Sequence, residues 1–194
     1  GGHNDPRGGG PYSGRLTAPL VAAGAMVKAW LKEQDIQLNA RVVDEAALRQ
    51  QAAEAKANGD SVGGEIACTV TGLPAGLGGP GWREAVESEL ARHLFAIPAV
   101  KALGFGDGAA LAHMRGSRAN DPLRTDGTHV RTVTNHNGGI NGGVTNGMPL
   151  TFTVTFKPTP SIALPQDTVD LSRMENCTVA VTGRHDPCIA LRAA

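Results

Sequence analysis

Three segments framed by glycine and proline constrain this sequence most: Gly138-Gly139-Ile140-Asn141-Gly142-Gly143-Val144-Thr145-Asn146-Gly147, Lys157-Pro158-Thr159-Pro160-Ser161-Ile162 and Gly183-Arg184-His185-Asp186-Pro187-Cys188. Glycine opens left-handed backbone and proline fixes φ, so each segment has a set shape. Each also carries a cation, hydroxyl or amide suited to an anionic ligand. The first either brings backbone N–H groups close to a ligand or makes tight turns between strands. It is neither a P-loop nor a GxGxxG helix start, and spacing alone favours the turns. Lys157 follows a strand and sits among two prolines, Thr159 and Ser161, which makes it an anion address or a solvated strand-end lysine. Arg184, His185 and Asp186 place a cation, a titratable ring and a carboxylate side by side. Such a cluster binds phosphate and moves a proton, or it is an Arg–Asp pair bracing a turn. Arg15, after Arg7-Gly8-Gly9-Gly10, is a second cationic anchor near a helix start or a solvent-facing arginine.

Apolar residues at spacings of three and four (Leu16, Leu20, Ala23, Val27, Trp30, Leu31) predict a helix over 15–34, and its small residues Ala22 to Ala25 predict burial on most sides. Ile36 to Val43 reads as a strand, and Asp44 opens a helix to Ala57 with acidic residues in its first turn, where the macrodipole favours them. Further expectations are a strand over 61–71, a helix over 82–95, strands over 97–105 and 128–134, and a strand from Leu150 to Phe156. This alternation is compatible with a parallel sheet. Strands with one polar face and a hairpin-like 150–156 fit an antiparallel α+β arrangement better. Residues 106–148 have few apolar positions and scattered Arg and His, which reads as a long ligand-covering loop within a single domain.

Composition sets the outer bounds. The 194 residues are 41% hydrophobic, enough to bury one good core. A formal net charge of zero and 4% aromatics argue against nucleic acid as a partner. Cys68, Cys177 and Cys188 have no CxxC spacing, so neither a disulfide framework nor a zinc site is expected and a reduced, cytoplasmic setting follows. No apolar run is long enough to cross a bilayer, and no export signal is read at the N-terminus. His3, His93, His113, His129 and His136 lie apart without partners at metal-ligand spacing. His93 is expected on a helix surface, and Ser13-Gly14-Arg15 is no nucleophile elbow.

The three segments occur together with Arg7-Gly8-Gly9-Gly10, Ser13-Gly14-Arg15-Leu16-Thr17-Ala18-Pro19-Leu20-Val21, Gly59-Asp60-Ser61-Val62-Gly63-Gly64, Pro74-Ala75-Gly76-Leu77-Gly78, Ile97-Pro98-Ala99-Val100-Lys101 and Asn120-Asp121-Pro122. In that order, over nearly the whole chain, they resemble chorismate synthase. The resemblance implies an α+β sandwich of helices between antiparallel sheets and a homotetramer with FMN near subunit boundaries. The implied reaction is anti-1,4 elimination of phosphate from 5-enolpyruvylshikimate 3-phosphate, giving chorismate with reduced FMN. It further implies that FMN is held by Pro11, Tyr12 and Ser13, by Pro98 and Ala99, by Gly142, by Lys157, Pro158, Thr159, Pro160 and Ser161, and by Arg184. Asp186 and Arg184 would be catalytic, Asp186 managing the flavin N5 proton, while Arg15 and Arg184 would hold substrate or cofactor anions.

The sequence departs from the family at Pro11, where Arg or His is usual. It also lacks the Gly-Glu-Ser-His-Gly motif and the His-Ala-Asp segment that supply the family's two catalytic histidines and several substrate arginines, and none of its own histidines is an obvious substitute. The expectation is therefore an internal portion of such an enzyme, without the final helix, carrying most of the flavin-binding half. The alternative is a catalytically incompetent FMN- or anion-binding fragment. Helix and sheet faces left without partners would lower stability and favour self-association.

Overall fold

The computed structural model describes residues 14–183 and 185–193. A 3-10 turn, Gly14–Thr17, leads into helix α1 (Ala18–Glu33), followed by β1 (Gln37–Val42), α2 (Glu45–Ala57), β2 (Gly64–Thr71), α3 (Val86–Leu94) and β3 (Val100–Phe105). After a 3-10 turn, Gly108–His113, come α4 (Gly116–Ala119), β4 (Leu123–Thr125), β5 (Val130–Thr132), β6 (Ile140–Asn141), β7 (Val144–Thr145), β8 (Leu150–Phe156), β9 (Gln166–Asp170), β10 (Glu175–Val179) and α5 (Ala190–Ala193). The main sheet has the order β1-β2-β8-β3 with every pair antiparallel. The α+β expectation holds. Three two-stranded ladders, β4–β5, β6–β7 and β9–β10, complete the strands.

β8 explains the sheet. Its sequence, Leu-Thr-Phe-Thr-Val-Thr-Phe, alternates strictly, and Leu150, Phe152, Val154 and Phe156 are buried while the three threonines are half-buried on the other face. Opposite them, Ile66 and Val70 of β2 and Val100 of β3 share the buried face. Leu48 and Ala52 of α2 and Ala190 of α5 close the core, with Val86, Leu90 and Leu94 of α3 packed at its margin. Each fully buried aliphatic or aromatic side chain contributes about 1.5–3 kcal/mol of apolar transfer. α2 starts where the sequence requires, because Asp44 Oδ1 accepts the Ala47 N–H at 3.2 Å.

Two expectations are corrected and a third is refined. α1 has no buried residue, and Leu20, Val21, Met26 and Trp30 are all more than half exposed. Its small residues permit close packing, but among the described residues no second apolar layer lies on that face. The helix expected from Trp82 begins only at Val86. Glu84 folds over Gly79 and Gly81, and the Glu84 and Ala85 N–H groups bond Gly81 O, so 81–85 is a turn. Trp82 is left 84% exposed, with Arg83 5.7 Å above its ring. Residues 106–148 hold more regular structure than their composition suggests, namely two hairpins, a 3-10 turn and a single helical turn.

Candidate functional site

β8 is about 20 Å long at roughly 3.4 Å per residue, and the candidate residues divide between its two ends. At its C-terminal end three chain segments converge. Lys157 donates its N–H to Ala99 O at 2.9 Å, joining the exit of β8 to the entry of β3. Ser61 Oγ donates to Thr159 O at 2.7 Å, and Val62 N–H donates to Pro187 O at 2.8 Å. Ser61 and Val62 therefore leave the ladder that the sequence suggested they would extend, and β2 starts at Gly64. Close approach requires Gly63, since a Cβ there would lie 2.5 Å from Phe156 O and 3.3 Å from Pro158 Cδ. Ala99 adopts φ +72°, a left-handed conformation that costs a non-glycine residue on the order of 1–2 kcal/mol. Such strain persists only where surrounding contacts impose it.

The structure thus joins the segment of Pro98 and Ala99 to that of Lys157, Pro158, Thr159, Pro160 and Ser161, and Ser61-Val62 links the latter to Pro187, the residue after Asp186. Lys157, Pro158, Pro160 and Ser161 are exposed, while the buried Thr159 Oγ1 has no hydrogen-bond partner among the described residues. An ammonium, an exposed hydroxyl and an unpaired hydroxyl on one proline-stiffened turn are a donor set that fits the phosphate of a mononucleotide. Asp186 Oδ2 accepts from Arg192 Nε at 2.9 Å. Sequence spacing did not signal Arg192 as a partner of Asp186, and the turn-bracing Arg184–Asp186 pair falls on Arg184, outside the described residues. His185 is taken up otherwise, its Nε2 lying 2.8 Å from Val181 O. Beside the cluster an open cleft of about 360 Å³ is lined by Lys56, Gly59, Asp60, Ala163, Gly183, His185, Pro187 and Arg192.

Gly142 lies at the other end of β8. β6 and β7 are joined by the two-residue loop Gly142-Gly143, with φ +60° and +81°, so the tight-turn reading of this segment describes its backbone. The hairpin is bolted to 74–78, where Thr145 Oγ1 donates to Pro74 O at 2.7 Å and accepts the Leu77 N–H at 2.9 Å. A Cβ on Gly142 would meet nothing within 4 Å, so this glycine is required by its φ and leaves open space above it. Arg15 lies in the Gly14–Thr17 turn. Pro11, Tyr12, Ser13 and Arg184 lie outside the described residues.

The loop end also holds residues that sequence spacing did not single out. Asp121 accepts from Thr134 Oγ1 at 2.7 Å, His136 N at 2.8 Å and Asn137 N at 3.0 Å. Burial pushes this carboxyl up, but the Asn137 N–H, the Thr134 hydroxyl and the His136 N–H outweigh it and hold it below the usual aspartate range. His136 Nδ1 lies 2.6 Å from Asp107 Oδ2. Twenty-nine positions separate these two residues, so no local pattern could have found the pair. Among the described residues no group of three or more His, Cys, Asp or Glu could hold a metal ion.

Fold and site define the class: a helix-backed antiparallel α+β sheet with an anion-suited cluster at one strand end. The family model of chorismate synthase matches residues 43–194. Chorismate synthase of Thermococcus gammatolerans is 44% identical over 219 residues, covering 99% of this chain and 61% of that protein. That of Chitinophaga pinensis is 47% identical over 195 residues, covering 99% of this chain and 58% of its relative. A crystal structure of chorismate synthase superposes with a TM-score of 0.72 at 26% identity, over 76% of this chain and 57% of that one. The chain belongs to the chorismate synthase family. It spans about three fifths of the length of the curated relatives it matches.

Proposed function

We propose that this chain carries the flavin-binding part of a chorismate synthase, a lyase of the shikimate pathway that eliminates phosphate from 5-enolpyruvylshikimate 3-phosphate to give chorismate. The observation that carries this reading is the convergence of Lys157–Ser161, Pro98–Ala99 and the segment of Pro187 at one end of β8, with Thr159 Oγ1 unpaired among the described residues. Lys157, Thr159 and Ser161 would bind the phosphate of FMN, with Pro98 and Ala99 as a stiff floor beneath it. Bound reduced flavin supplies an electron-rich ring that assists departure of an allylic phosphate. Asp186 would hold or release a proton through Oδ1, because Oδ2 is committed to Arg192 and, among the described residues, Oδ1 receives only the Cys188 N–H at 3.4 Å. Arg15 and Arg184 would hold anionic groups of substrate or cofactor, and Gly142 would bring the loop backbone to the ligand. Residues 106–148 would cover that ligand. The working assembly would be a homotetramer in the cytoplasm; no helix among the described residues is long and apolar enough to cross a membrane.

A second reading, binding of FMN or another anion without turnover, is favoured by one observation. His185, the imidazole next to Asp186, is held at Val181 O. An anaerobic titration with reduced FMN and 5-enolpyruvylshikimate 3-phosphate, followed by flavin absorbance and phosphate release, separates the two. Binding with phosphate release supports the lyase reading, and binding without release supports the second. Absence of any flavin spectral change refutes the lyase reading and FMN binding alike.

A further inference from the structure

The sequence holds four Asn-Gly pairs, at 58–59, 137–138, 141–142 and 146–147. Asparagine is thermolabile, and a glycine after it leaves the next backbone nitrogen unscreened by any Cβ and free to approach the side-chain amide carbon. The structure separates the four. The Gly59 N–H donates to Lys56 O at 3.2 Å and the Gly138 N–H to Asn135 O at 3.1 Å, so at both pairs the attacking nitrogen is already engaged. Asn58 is held further by its Nδ2, which donates to Glu54 O at 3.0 Å. Asn146 has both ends of its amide tied, Oδ1 accepting the Met148 N–H at 2.9 Å and Nδ2 donating to Asn141 Oδ1 at 2.6 Å. Asn141 is the opposite case. It is exposed at the end of β6, and neither its Nδ2 nor the Gly142 N–H has a partner among the described residues. A Cβ on Gly142 would meet nothing within 4 Å, so no neighbour obstructs ring closure there. The Asn146 Nδ2–H points at Asn141 Oδ1, where negative charge gathers when the amide carbon is attacked. The β6–β7 ladder has only two residue pairs, so turning Asn141 into the attacking geometry breaks few contacts.

We propose that Asn141 is a self-modification site, cyclising onto Gly142 and opening to aspartate or isoaspartate. Solvent base takes the Gly142 amide proton, and the nitrogen lone pair forms a bond to Asn141 Cγ. The Cγ–Nδ2 bond then breaks, and its electron pair leaves on nitrogen, which takes a proton from water to depart as ammonia. Water adds to one or the other carbonyl of the cyclic imide, and opening gives aspartate or isoaspartate respectively. No oxidant or reductant takes part. Isoaspartate carries the main chain through Cγ and lengthens it, so the two-residue loop of Gly142 and Gly143, both at positive φ, no longer closes in its register. The site rests on geometry alone; its consequence, withdrawal of the Gly142 backbone from the ligand, rests on the flavin-binding reading.

The test is incubation of the whole chain at mildly alkaline pH, with its peptides followed by mass spectrometry using electron-transfer fragmentation, which separates isoaspartate from aspartate. Asn141 should convert about three- to tenfold faster than Asn58 and Asn137, where a hydrogen bond of the attacking N–H must first break. In denaturant this ordering should vanish, and an ordering that persists there comes from local sequence and overturns the structural argument. Asn146→Asp keeps an acceptor for the Met148 N–H and loses the donor to Asn141 Oδ1, so the Asn141 rate should fall about three- to tenfold. Equal rates at Asn58, Asn137 and Asn141 in the folded chain overturn the site, and an unchanged rate in Asn146→Asp overturns the part given to Asn146. Reduced FMN binding by the same aged samples should fall in step with isoaspartate at 141. Undiminished binding by converted protein overturns the consequence for the ligand. A fresh chain that binds no flavin refutes the proposed function, and Asn141 is then judged by its rates.

Discussion

Removing Asp121 should loosen the loop end of the sheet more than its partial exposure suggests. Its carboxylate receives two backbone N–H groups and one hydroxyl, at 2.7–3.0 Å. A hydrogen bond to a charged group contributes about 1.5–3 kcal/mol, and losing the acceptor leaves the donors unpaired. Three such bonds at the lower limit sum to about 4.5 kcal/mol; water reaching the half-exposed site reduces this, so Asp121→Ala should cost about 2–3 kcal/mol. Asp121→Asn, which keeps a neutral acceptor, should cost about 1 kcal/mol. Urea unfolding followed by circular dichroism gives the global value, and amide hydrogen exchange at His136 and Asn137 gives the local one. The pH dependence follows from the depressed carboxyl. Its contribution is complete above the ordinary aspartate value of about 3.9 and is lost as pH falls through the lower folded value. Wild type and Asp121→Ala should therefore converge in acid below about pH 4. Equal midpoints for the two at pH 7, with exchange at His136 and Asn137 unchanged, would refute the reasoning.

Val154, buried at the centre of β8, should cost about 2–3 kcal/mol as Val154→Ala, lowering the melting temperature by about 4–12 °C in calorimetry. Gly106→Ala and Gly138→Ala should each cost more than about 3 kcal/mol, since the new methyl meets backbone and both glycines have positive φ; failure to recover soluble protein, or a matching drop in urea midpoint, is the readout. Asp186→Asn should change stability by less than about 1 kcal/mol, because Arg192 is 68% exposed, while abolishing any phosphate release. Lys157→Ala should weaken FMN binding about tenfold with an unchanged melting temperature, measured by flavin fluorescence quenching. The exposed α1 residues predict association that rises with concentration, and Met26→Lys should shift sedimentation velocity profiles toward monomer.

Strict alternation in Leu150–Phe156 determined a strand with one buried face, and Asp44 determined where α2 begins, because both signals are local and match the period of the element they specify. The same holds for the proline-stiffened turn at Lys157 and for the paired glycines at 142–143. Between 163 and 182 no apolar periodicity announces β9 and β10, whose ten residues are almost all exposed; that hairpin is held by its own ladder. Other outcomes belong to tertiary structure. α1 reads as a buried helix from its own residues, yet burial depends on a partner surface that a helix does not encode. Asp186 reads as a neighbour of Arg184 and His185, but among the described residues its ionic partner is Arg192, brought round by α5. The two ends of β8 separate Gly142 from Lys157, although only fourteen residues lie between them, because an extended strand turns short sequence distance into length. His136 and Asp107, far apart in sequence, meet because the antiparallel return of β8 beside β3 brings the two loops together at one sheet end.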